Sequence, residues 1–479
     1  MAQLHDQIDN PFTTPGHSLA KLRVLLPGIR SRNLHATIEI QEQRMQPRSI
    51  LQPFLLFNIA VLLLASTYAS AQAGTLDPSF ATKGIFLAPT SKSTANAVAI
   101  QSDGKIVVAS LGVFNNGFAD MLFRLNTNGT LDTSFGSGGT VNVAGFGFFG
   151  LAIQSNGDIV TASEGQGSFQ VARFKSNGSL DTSFGSGGFT APIFVGGQGV
   201  LTSGSLALQS DGKILVVEGS GNPSLMVRHT SSGQLDTPFG TGGLVNLQYA
   251  SPTQVTLQSN GKILVASGAS GILGFTLNPL SAPTAQAGEI TRYNSNGTID
   301  NTFGAAGTAA SVASASALVL QTDGRIVVAG AITSKRNAPL TASDVGFGIM
   351  RYNSNGTLDR TFGKGGVAVT DLGATATDSG PYALAIQSNG DIVAGGIAGI
   401  TTASVFTAAF GLTRYTSAGT LDTTFGAGGI VLTQPSTETN PVSLVSALSI
   451  QSDGKIVAIG NAAFDFVFEN GFVARYLSQ

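Results

Sequence analysis

The stretch AVAIQSDGKIVVA, residues 97–109, decides the fold because it places two apolar runs on either side of a short polar turn. The runs are Ala97–Ile100 and Ile106–Ala109, and the pair Asp103-Gly104 stands between them. Asp-Gly favours a two-residue hairpin turn, since both central positions of that turn need positive φ. The stretch therefore predicts a β-hairpin closed by a two-residue turn.

Three short signatures, one of them in this stretch, occur seven times each in a fixed order along the chain. The first is Leu/Ile-Asp-x-x-Phe, the second is Gln-Ser/Thr-Asp/Asn-Gly, and the third is an arginine followed by an aromatic or other large residue. The aspartates of the first signature recur every 49 to 64 residues, a period that suits a four-stranded sheet. The aspartates are Asp77, Asp132, Asp181, Asp236, Asp300, Asp359 and Asp422, and the arginines are Arg124, Arg173, Arg228, Arg292, Arg351, Arg414 and Arg475.

Each repeat predicts four antiparallel strands, and no capped helix is evident between them. Seven helix-free units of this kind predict an all-β, seven-bladed β-propeller, in which each sheet packs against the next. The repeats begin with signature one and end with signature three, so the strand Gly84–Leu87 is expected to join the last blade and close the ring. A linear solenoid is the alternative, but it would need polar end caps that the sequence lacks.

The repeated motifs also resemble a known family. The Gln-Ser-Asp-Gly-Lys-Ile-Val-Val turn, together with Arg-Tyr-Asn-Ser-Asn-Gly-Thr turns that lead into Leu-Asp and Phe-Gly, resembles the delta-60 repeat family of bacterial exported β-propellers. The resemblance covers residues 74–479. It implies a propeller fold and export, and it transfers no catalytic residue because the family has no assigned common activity.

The amino-terminal part of the chain has the sequence pattern of an export signal. Phe54–Ala65 is an uncharged apolar run of twelve residues, preceded by Arg44 and Arg48 and followed by small residues at Ala69, Ala71 and Ala73. This is the pattern of a secretory signal peptide with small-x-small cleavage sites. A membrane-spanning helix would need about 20 apolar residues.

We therefore predict a signal peptide over residues 45–73 and a mature chain over residues 74–479 with no transmembrane anchor. Residues 1–44 precede Met45, the expected start of translation, and are predicted to be a non-native or disordered extension. The predicted location is secreted, periplasmic or otherwise in the cell envelope.

The composition restricts the chemistry. The chain has no cysteine, which excludes disulfides, thiolate catalysis and cysteine-ligated metals. The predicted mature chain keeps one histidine, His229, which occupies a position held by Tyr or Phe in most repeats and is interpreted as a packing residue. With 19 basic and 23 acidic residues the mature chain carries a charge of −4, which gives no general attraction to nucleic acid. We predict no catalytic residue, no metal and no cofactor.

The recurring aspartates and arginines are interpreted as structural. One carboxylate per repeat is too few for Ca²⁺, which takes 6–8 oxygen ligands. An aspartate in a turn commonly accepts hydrogen bonds from its own main chain, and each one has an arginine of the third signature available as a partner. We expect one structural pair per repeat.

Binding specificity is predicted to lie in the variable loops at one end of the sheets. Antiparallel pairing puts the first–second and third–fourth connections at one end, both predicted as two-residue turns, and the second–third and fourth–first connections at the other. All variation in length falls in the latter set, and loops on a rigid scaffold carry binding specificity. Their apolar residues suggest a partner that is an extracellular or envelope protein or a glycan. The candidate binding residues are Ile272, Leu273, Phe275, Phe406, Phe464, Phe466 and Phe468.

Three functions remain open at this level. We predict a non-catalytic binding or scaffold module that acts through the variable loops. The alternatives are a structural envelope component without a dedicated ligand, and a carboxylate-dependent glycan hydrolase or lyase. The last requires a pair of acids, so a cleft that contained two of Glu164, Glu218 and Glu289 would favour it.

Overall fold

The described residues form an all-β structure in the computed structural model. The part of the chain that the structure describes contains 28 strands and no helix, and so no helix able to cross a membrane. The structure describes residues 72–479 apart from 91–92, 115–116, 145–146, 166, 195–203, 220–222, 250, 269–287, 312–313, 334–344, 373–378, 402–405, 436–441 and 465–466.

The strands form groups of four in chain order, and each strand pairs antiparallel with its neighbour in the group. We call each group a unit. Unit 1 contains β2 (Ser93–Ile100), β3 (Ile106–Phe114), β4 (Gly117–Leu125) and β5 (Thr140–Ala144); unit 2 contains β6 (Gly147–Ile153), β7 (Ile159–Gly165), β8 (Ser168–Phe174) and β9 (Ile193–Phe194); unit 3 contains β10 (Gly204–Leu208), β11 (Ile214–Glu218), β12 (Leu225–His229) and β13 (Leu244–Asn246); unit 4 contains β14 (Pro252–Leu257), β15 (Ile263–Ser267), β16 (Glu289–Tyr293) and β17 (Thr308–Ala310).

The later units follow the same order, and unit 7 takes its fourth strand from the front of the chain. In that strand Ile85 pairs with Ala474 and Leu87 with Phe472. Units 6 and 7 are also linked by one parallel pair, Ala408 with Val442. Unit 5 contains β18 (Ala317–Leu320), β19 (Ile326–Thr333), β20 (Val345–Tyr352) and β21 (Val367–Thr370); unit 6 contains β22 (Gly380–Ile386), β23 (Ile392–Thr401), β24 (Phe406–Tyr415) and β25 (Ile430–Thr433); unit 7 contains β26 (Val442–Ile450), β27 (Ile456–Phe464), β28 (Val467–Tyr476) and β1 (Ile85–Leu87).

The first-to-second turn differs from the predicted two-residue form. Gln101 N donates to Lys105 O at 2.8 Å, so three residues separate the paired ones. Only Gly104 has positive φ, at 82°, whereas Asp103 keeps an ordinary φ and accepts a hydrogen bond from Lys105 N at 3.1 Å. A three-residue loop with glycine in the left-handed region needs positive φ at one position instead of two, and the aspartate side chain holds it.

The prediction of a two-residue third-to-fourth connection is also wrong. In unit 1 this connection runs from the end of β4 at Leu125 to the start of β5 at Thr140, and it contains the whole Leu-Asp-x-x-Phe signature. The connection nevertheless has a constant form, because Asn126 N donates to Thr130 O and Asp132 N donates to Arg124 O, both at 2.8 Å. We call the end of each sheet with these two constant connections the turn end, and the opposite one the loop end.

The apolar core lies between consecutive units. Val160 and Ala162 of unit 2 pack with Ile214 and Val216 of unit 3, and all four are fully buried. Burial of each of these Val and Ile side chains contributes about 1.5–3 kcal/mol to stability. The first strands contact one another in sequence, β2 with β6, β6 with β10, β10 with β14, β14 with β18, β18 with β22, β22 with β26, and β26 with β2.

Candidate functional site

The turn end carries the same arginine–aspartate pair in every unit. In unit 5, Arg351 Nε donates to Asp359 Oδ2 at 2.8 Å, and both side chains are buried. In unit 7 the partners come from opposite ends of the chain, since Arg475 Nε donates to Asp77 Oδ2 at 2.9 Å. The pairs are Arg124–Asp132, Arg173–Asp181, Arg228–Asp236, Arg292–Asp300, Arg351–Asp359, Arg414–Asp422 and Arg475–Asp77, with Nε–Oδ2 distances of 2.6 to 2.9 Å.

Six of the seven aspartates are also held through their other carboxylate oxygen. Asp77 Oδ1 accepts hydrogen bonds from the main-chain N–H of Ser79 at 2.9 Å and from its hydroxyl at 2.6 Å. Burial alone would raise the pKa of Asp77, but these two bonds and the charges of Arg475 and Lys455 bring that pKa down to about 2. In unit 3 the residue at this place is Pro238, which has neither an N–H nor a hydroxyl to offer.

The arginines also join neighbouring units. The guanidinium of Arg351 stacks 4.7 Å from the ring centroid of Phe362, and Arg351 Nη1 donates to the main-chain carbonyl of Ser417 in unit 6. The same bond from Arg475 of unit 7 reaches the carbonyl of Thr127 in unit 1. Each of these guanidinium groups pairs with a carboxylate, stacks on a ring and donates to a carbonyl, and the arginine side chains are largely buried. The turn end is therefore a structural clamp.

The loop end contains the acidic residues that are outside the repeat motifs. The side chains of five of them are described, and every described lysine and arginine lies elsewhere, in or beside the turn-end connections. The five are Asp120, Glu164, Glu218, Glu289 and Asp371.

Asp120 is one of the buried acids of the loop end. It is 0% exposed, and its Oδ1 accepts a hydrogen bond of 2.6 Å from the main-chain N–H of Phe148, which stands where the ladder between β6 and β7 shifts register. Burial raises the pKa of Asp120 to about 9 against the opposing effect of that hydrogen bond. The carboxyl is therefore neutral at pH 7. It lies between the facing sheets of units 1 and 2, and we call such a boundary between two consecutive units a seam.

Glu164 and Glu218 point into one seam. Glu164 shares its strand face with Val160 and Ala162, and Glu218 shares its face with Ile214 and Val216. Since those four apolar residues form one cluster between units 2 and 3, the two carboxyls extend the same row toward the loop end. Their exposed fractions are 5% and 0%.

Glu289 lies one seam further on. It pairs with Ser267 across β15 and β16 and shares a strand face with Tyr293, which packs between units 3 and 4. Burial raises the pKa of Glu289 above its ordinary value. Acidic side chains therefore occur in three consecutive seams, but Glu289 does not share one with Glu164 and Glu218. Among the described residues, no three metal-ligating side chains lie close enough to hold an ion.

Sequence reasoning named the three glutamates but missed the place of Asp120. The signal was present, because Asp120 interrupts an apolar strand, GFADMLFRL, at a position where units 2, 5 and 6 have Phe169, Phe347 and Phe410. His229, interpreted as a packing residue, is 1% exposed, and burial lowers its pKa to about 4.

The apolar loop residues predicted to bind a partner fall outside the described side chains. Within the described part, the most exposed large apolar side chain at the loop end is Phe194, at 75%. It lies at the end of β9 and pairs with Ser168 at the start of β8. The predicted residues outside the described side chains are Ile272, Leu273, Phe275, Phe406, Phe464, Phe466 and Phe468.

Comparison with known proteins identifies the type of fold. A family model described as "Domain of unknown function (DUF5122) beta-propeller" matches residues 101–135, 154–184, 284–303 and 321–362. This match supports the prediction of a β-propeller repeat family. The comparison with curated proteins gives no match.

Several solved structures are similar in fold. A catalytically inactive virginiamycin B lyase from Staphylococcus aureus, solved with quinupristin, is 12% identical over 81% of this chain and 97% of that chain, with a TM-score of 0.45. A polysaccharide lyase is 9% identical over 86% and 94%, with a TM-score of 0.43. The extracellular domains 1–2 of Drosophila Semaphorin 1b are 10% identical over 85% and 88%, with a TM-score of 0.42. These similarities give no information on chemistry, and they leave an enzymatic function open.

Proposed function

We propose that the chain is an exported, non-catalytic β-propeller of the delta-60 repeat type that binds a partner through its loop end. The partner is an extracellular or envelope protein or a glycan, and the location is outside the cytoplasm. The observation that carries the proposal is the difference between the two ends of the sheets. The recurring arginine–aspartate pairs are engaged in structural contacts at the turn end, while the non-repeated acids and the variable connections lie together at the loop end.

The proposed architecture is a closed ring of seven blades. It is supported by the sequence of contacts between first strands, in which β26 of unit 7 contacts β2 of unit 1. It is also supported by Ala95 N of unit 1, which donates to Asn461 Oδ1 of unit 7 at 2.7 Å, and by the reach of Arg475 to Thr127. A ring of this kind holds seven loop pairs on one rigid rim, which suits recognition of a macromolecule.

A carboxylate-dependent hydrolase or lyase is the second candidate, because Glu164 and Glu218 face one seam. Two carboxyl groups on either side of a glycosidic bond would be the required arrangement. Burial weighs against this function, since a substrate must reach both groups and neither is exposed by more than 5%. A structural envelope role without a ligand remains the third candidate.

Cross-linking of the exported protein to its surroundings tests the binding proposal. Phe194→Ser removes an exposed apolar side chain from the loop end, and the triple change of Phe464, Phe466 and Phe468 to Ser alters the predicted binding loop. Ile299→Ser is the matched control, because Ile299 is an exposed apolar residue at 37% exposure at the turn end. We expect the loop-end variants to lose the cross-linked species and the control to keep them. Equal loss in all variants, or no species with the parent protein, would count against binding at the loop end.

Glu164→Gln and Glu218→Gln separate the enzyme from the binder. If the protein hydrolyses or eliminates a glycan, both changes abolish that activity on a panel of envelope polysaccharides. If it is a binding module, no activity is found for the parent, and both variants retain the cross-linked partner.

A further inference from the structure

Six of the seven third-to-fourth connections begin with a continuous turn that has a glycine at its corner. In unit 1, Asn126 N donates to Thr130 O at 2.8 Å and Gly129 N donates to Asn126 O at 2.9 Å. Gly129 has a φ of +82°, the left-handed region that glycine adopts without strain.

The seventh turn is assembled from the two ends of the chain. Leu477 N donates to Thr75 O at 2.9 Å, and Gly74 N donates to Leu477 O at 2.8 Å. Gly74 has a φ of +83°. Leu477 thus takes the place of Asn126, and Gly74 takes the place of Gly129, although no peptide bond connects the two halves.

The residue before the glycine is also required by the fold. In unit 2, Asn177 precedes the glycine, and its carbonyl accepts a hydrogen bond of 2.9 Å from Gly136 N of unit 1. In the split turn this acceptor is the carbonyl of Ala73, which takes a bond of 2.8 Å from Gly426 N of unit 6. Ala73 is 7% exposed and belongs to the core cluster of units 6 and 7.

Gln72 adds three further hydrogen bonds. Its main-chain oxygen accepts from Thr75 N at 3.0 Å and from the Thr75 hydroxyl at 2.7 Å. Its side-chain Nε2 donates to Gly426 O at 2.6 Å. The contacts that complete the seventh turn therefore extend back to Gln72.

We propose that export processing cuts the bond between Ala71 and Gln72, so that the mature protein begins at Gln72 and not at Gly74. This inference rests on the proposed export. The peptidase adds one water across the bond, which leaves a carboxylate on Ala71 and an amine on Gln72. A cut after Ala73 would remove the three hydrogen bonds of Gln72 and the acceptor of Gly426 N, so the seventh turn would lose contacts that the other six turns keep.

The sequence permits both cuts, and two variants distinguish them. Ala69 and Ala71 are the small residues that precede the first bond, whereas Ala71 and Ala73 precede the second. Ala69→Phe damages only the first site, and Ala73→Leu damages only the second. The two variants are matched because each replaces one alanine of a small-x-small pair.

The test is the intact mass of the full chain, expressed with its leader in a Gram-negative host and recovered from the periplasm or medium. We expect a mass that begins at Gln72, or at its pyroglutamate after loss of ammonia. Ala69→Phe should reduce cleavage of the Ala71–Gln72 bond at least tenfold, and Ala73→Leu should leave the amino terminus at Gln72.

Other outcomes would overturn the inference in distinguishable ways. An exported protein that begins at Gly74, with processing sensitive to Ala73→Leu, would contradict the cleavage site and leave the proposed export intact. An uncut chain confined to the cytoplasm would contradict the export proposal and the cleavage site together.

Discussion

The two ends of the sheets use charge in opposite ways. At the turn end, a buried carboxylate such as Asp359 has an arginine 2.8 Å away and a stacked ring behind that arginine. At the loop end, buried Asp120 has a main-chain N–H as its partner, and no cation is described nearby. A buried charge persists only when it is paired, and an unpaired acid takes up a proton instead. Buried carboxyl groups are therefore paired with arginine at the turn end, whereas Asp120 at the loop end is buried in its protonated form.

The largest effect is expected from breaking one clamp. Arg351→Ala leaves Asp359 buried without its main cation, and removal of one partner of a buried pair costs about 3–5 kcal/mol of unfolding free energy. Arg325→Gln is the control, because Arg325 is 41% exposed and its Nε lies 3.5 Å from Asp359 Oδ2. That control should cost less than about 1 kcal/mol. Urea unfolding of both variants measures the difference, and similar losses would refute the clamp.

Two neighbouring glycines, Gly365 and Gly366, test the geometry of the third-to-fourth connection in unit 5. Gly366 has a φ of +104°, and a Cβ there would lie 2.6 Å from Leu358 Cγ, so Gly366→Ala combines strain with overpacking and should cost about 2–4 kcal/mol. Gly365 has a φ of +68° with open space around the Cβ position, so Gly365→Ala should cost about 1–2 kcal/mol. Thermal unfolding of the two variants should show the larger decrease in Tm for Gly366→Ala. The reverse order would contradict the close approach of Leu358.

The pH dependence of stability should have opposite signs at the two ends. The pKa of folded Asp120 is raised to about 9, so folding takes up a proton and this group's contribution falls as the pH rises from about 4 toward 9. Asp120→Asn keeps an acceptor for Phe148 N but does not ionise. Between pH 5 and pH 6.5, we expect the variant to gain about 2 kcal/mol relative to the parent.

The contribution of Asp77 to stability should have the opposite pH dependence in the same experiment. Its folded pKa of about 2 lies below the ordinary value, so its contribution is present above about pH 4 and is lost as the pH falls toward 2. Asp77→Asn should therefore reduce stability at pH 7 and have progressively less effect in acid. Urea unfolding at a series of pH values measures both variants, and the same sign for the two would refute the contrast.

The smallest effect on stability is expected for His229, a packing residue at the turn end that stands where most other units have Tyr or Phe. Both ring nitrogens lack a hydrogen-bond partner within the described residues. Its folded pKa of about 4 lies below the ordinary value, so stability is lost as the pH falls from about 6.5 toward 4. His229→Phe should gain about 1 kcal/mol at pH 5 relative to pH 7.5, as measured by urea unfolding. Phe174→His, the reciprocal change in unit 2, should introduce the same acid sensitivity, and a parent-like profile in both variants would argue against it.

Much of the fold was readable from residues close together in the sequence. The Asp-Gly and Asn-Gly pairs marked the hairpins, because turn geometry depends on a few neighbouring φ values and side-chain acceptors. The prediction of two-residue turns failed on the same local scale, since Asp103 accepts a hydrogen bond from Lys105 N and thereby supports a loop of three residues. Four strands per unit followed from the spacing of the signatures.

The candidate site was less accessible to sequence reasoning. Glu164, Glu218 and Glu289 were evident as acids outside the motifs, but whether any two would meet depends on which strand face each one occupies and which sheet lies opposite. The structure brings Glu164 and Glu218 to one seam and puts Glu289 in another. The apolar loop residues had a sequence signal and lie outside the described side chains.

The sequence by itself determined the repeat, the four strands of each unit and the arginine and aspartate available in each, because these depend on alternation and turns within about 60 residues. Only the tertiary structure decided that Arg475 reaches Asp77 and Thr127, that Asp120 is buried against Phe148, and that Gly74 completes a turn with Leu477. Such contacts join residues far apart in the chain, and their energies arise from burial and desolvation, which no local pattern specifies.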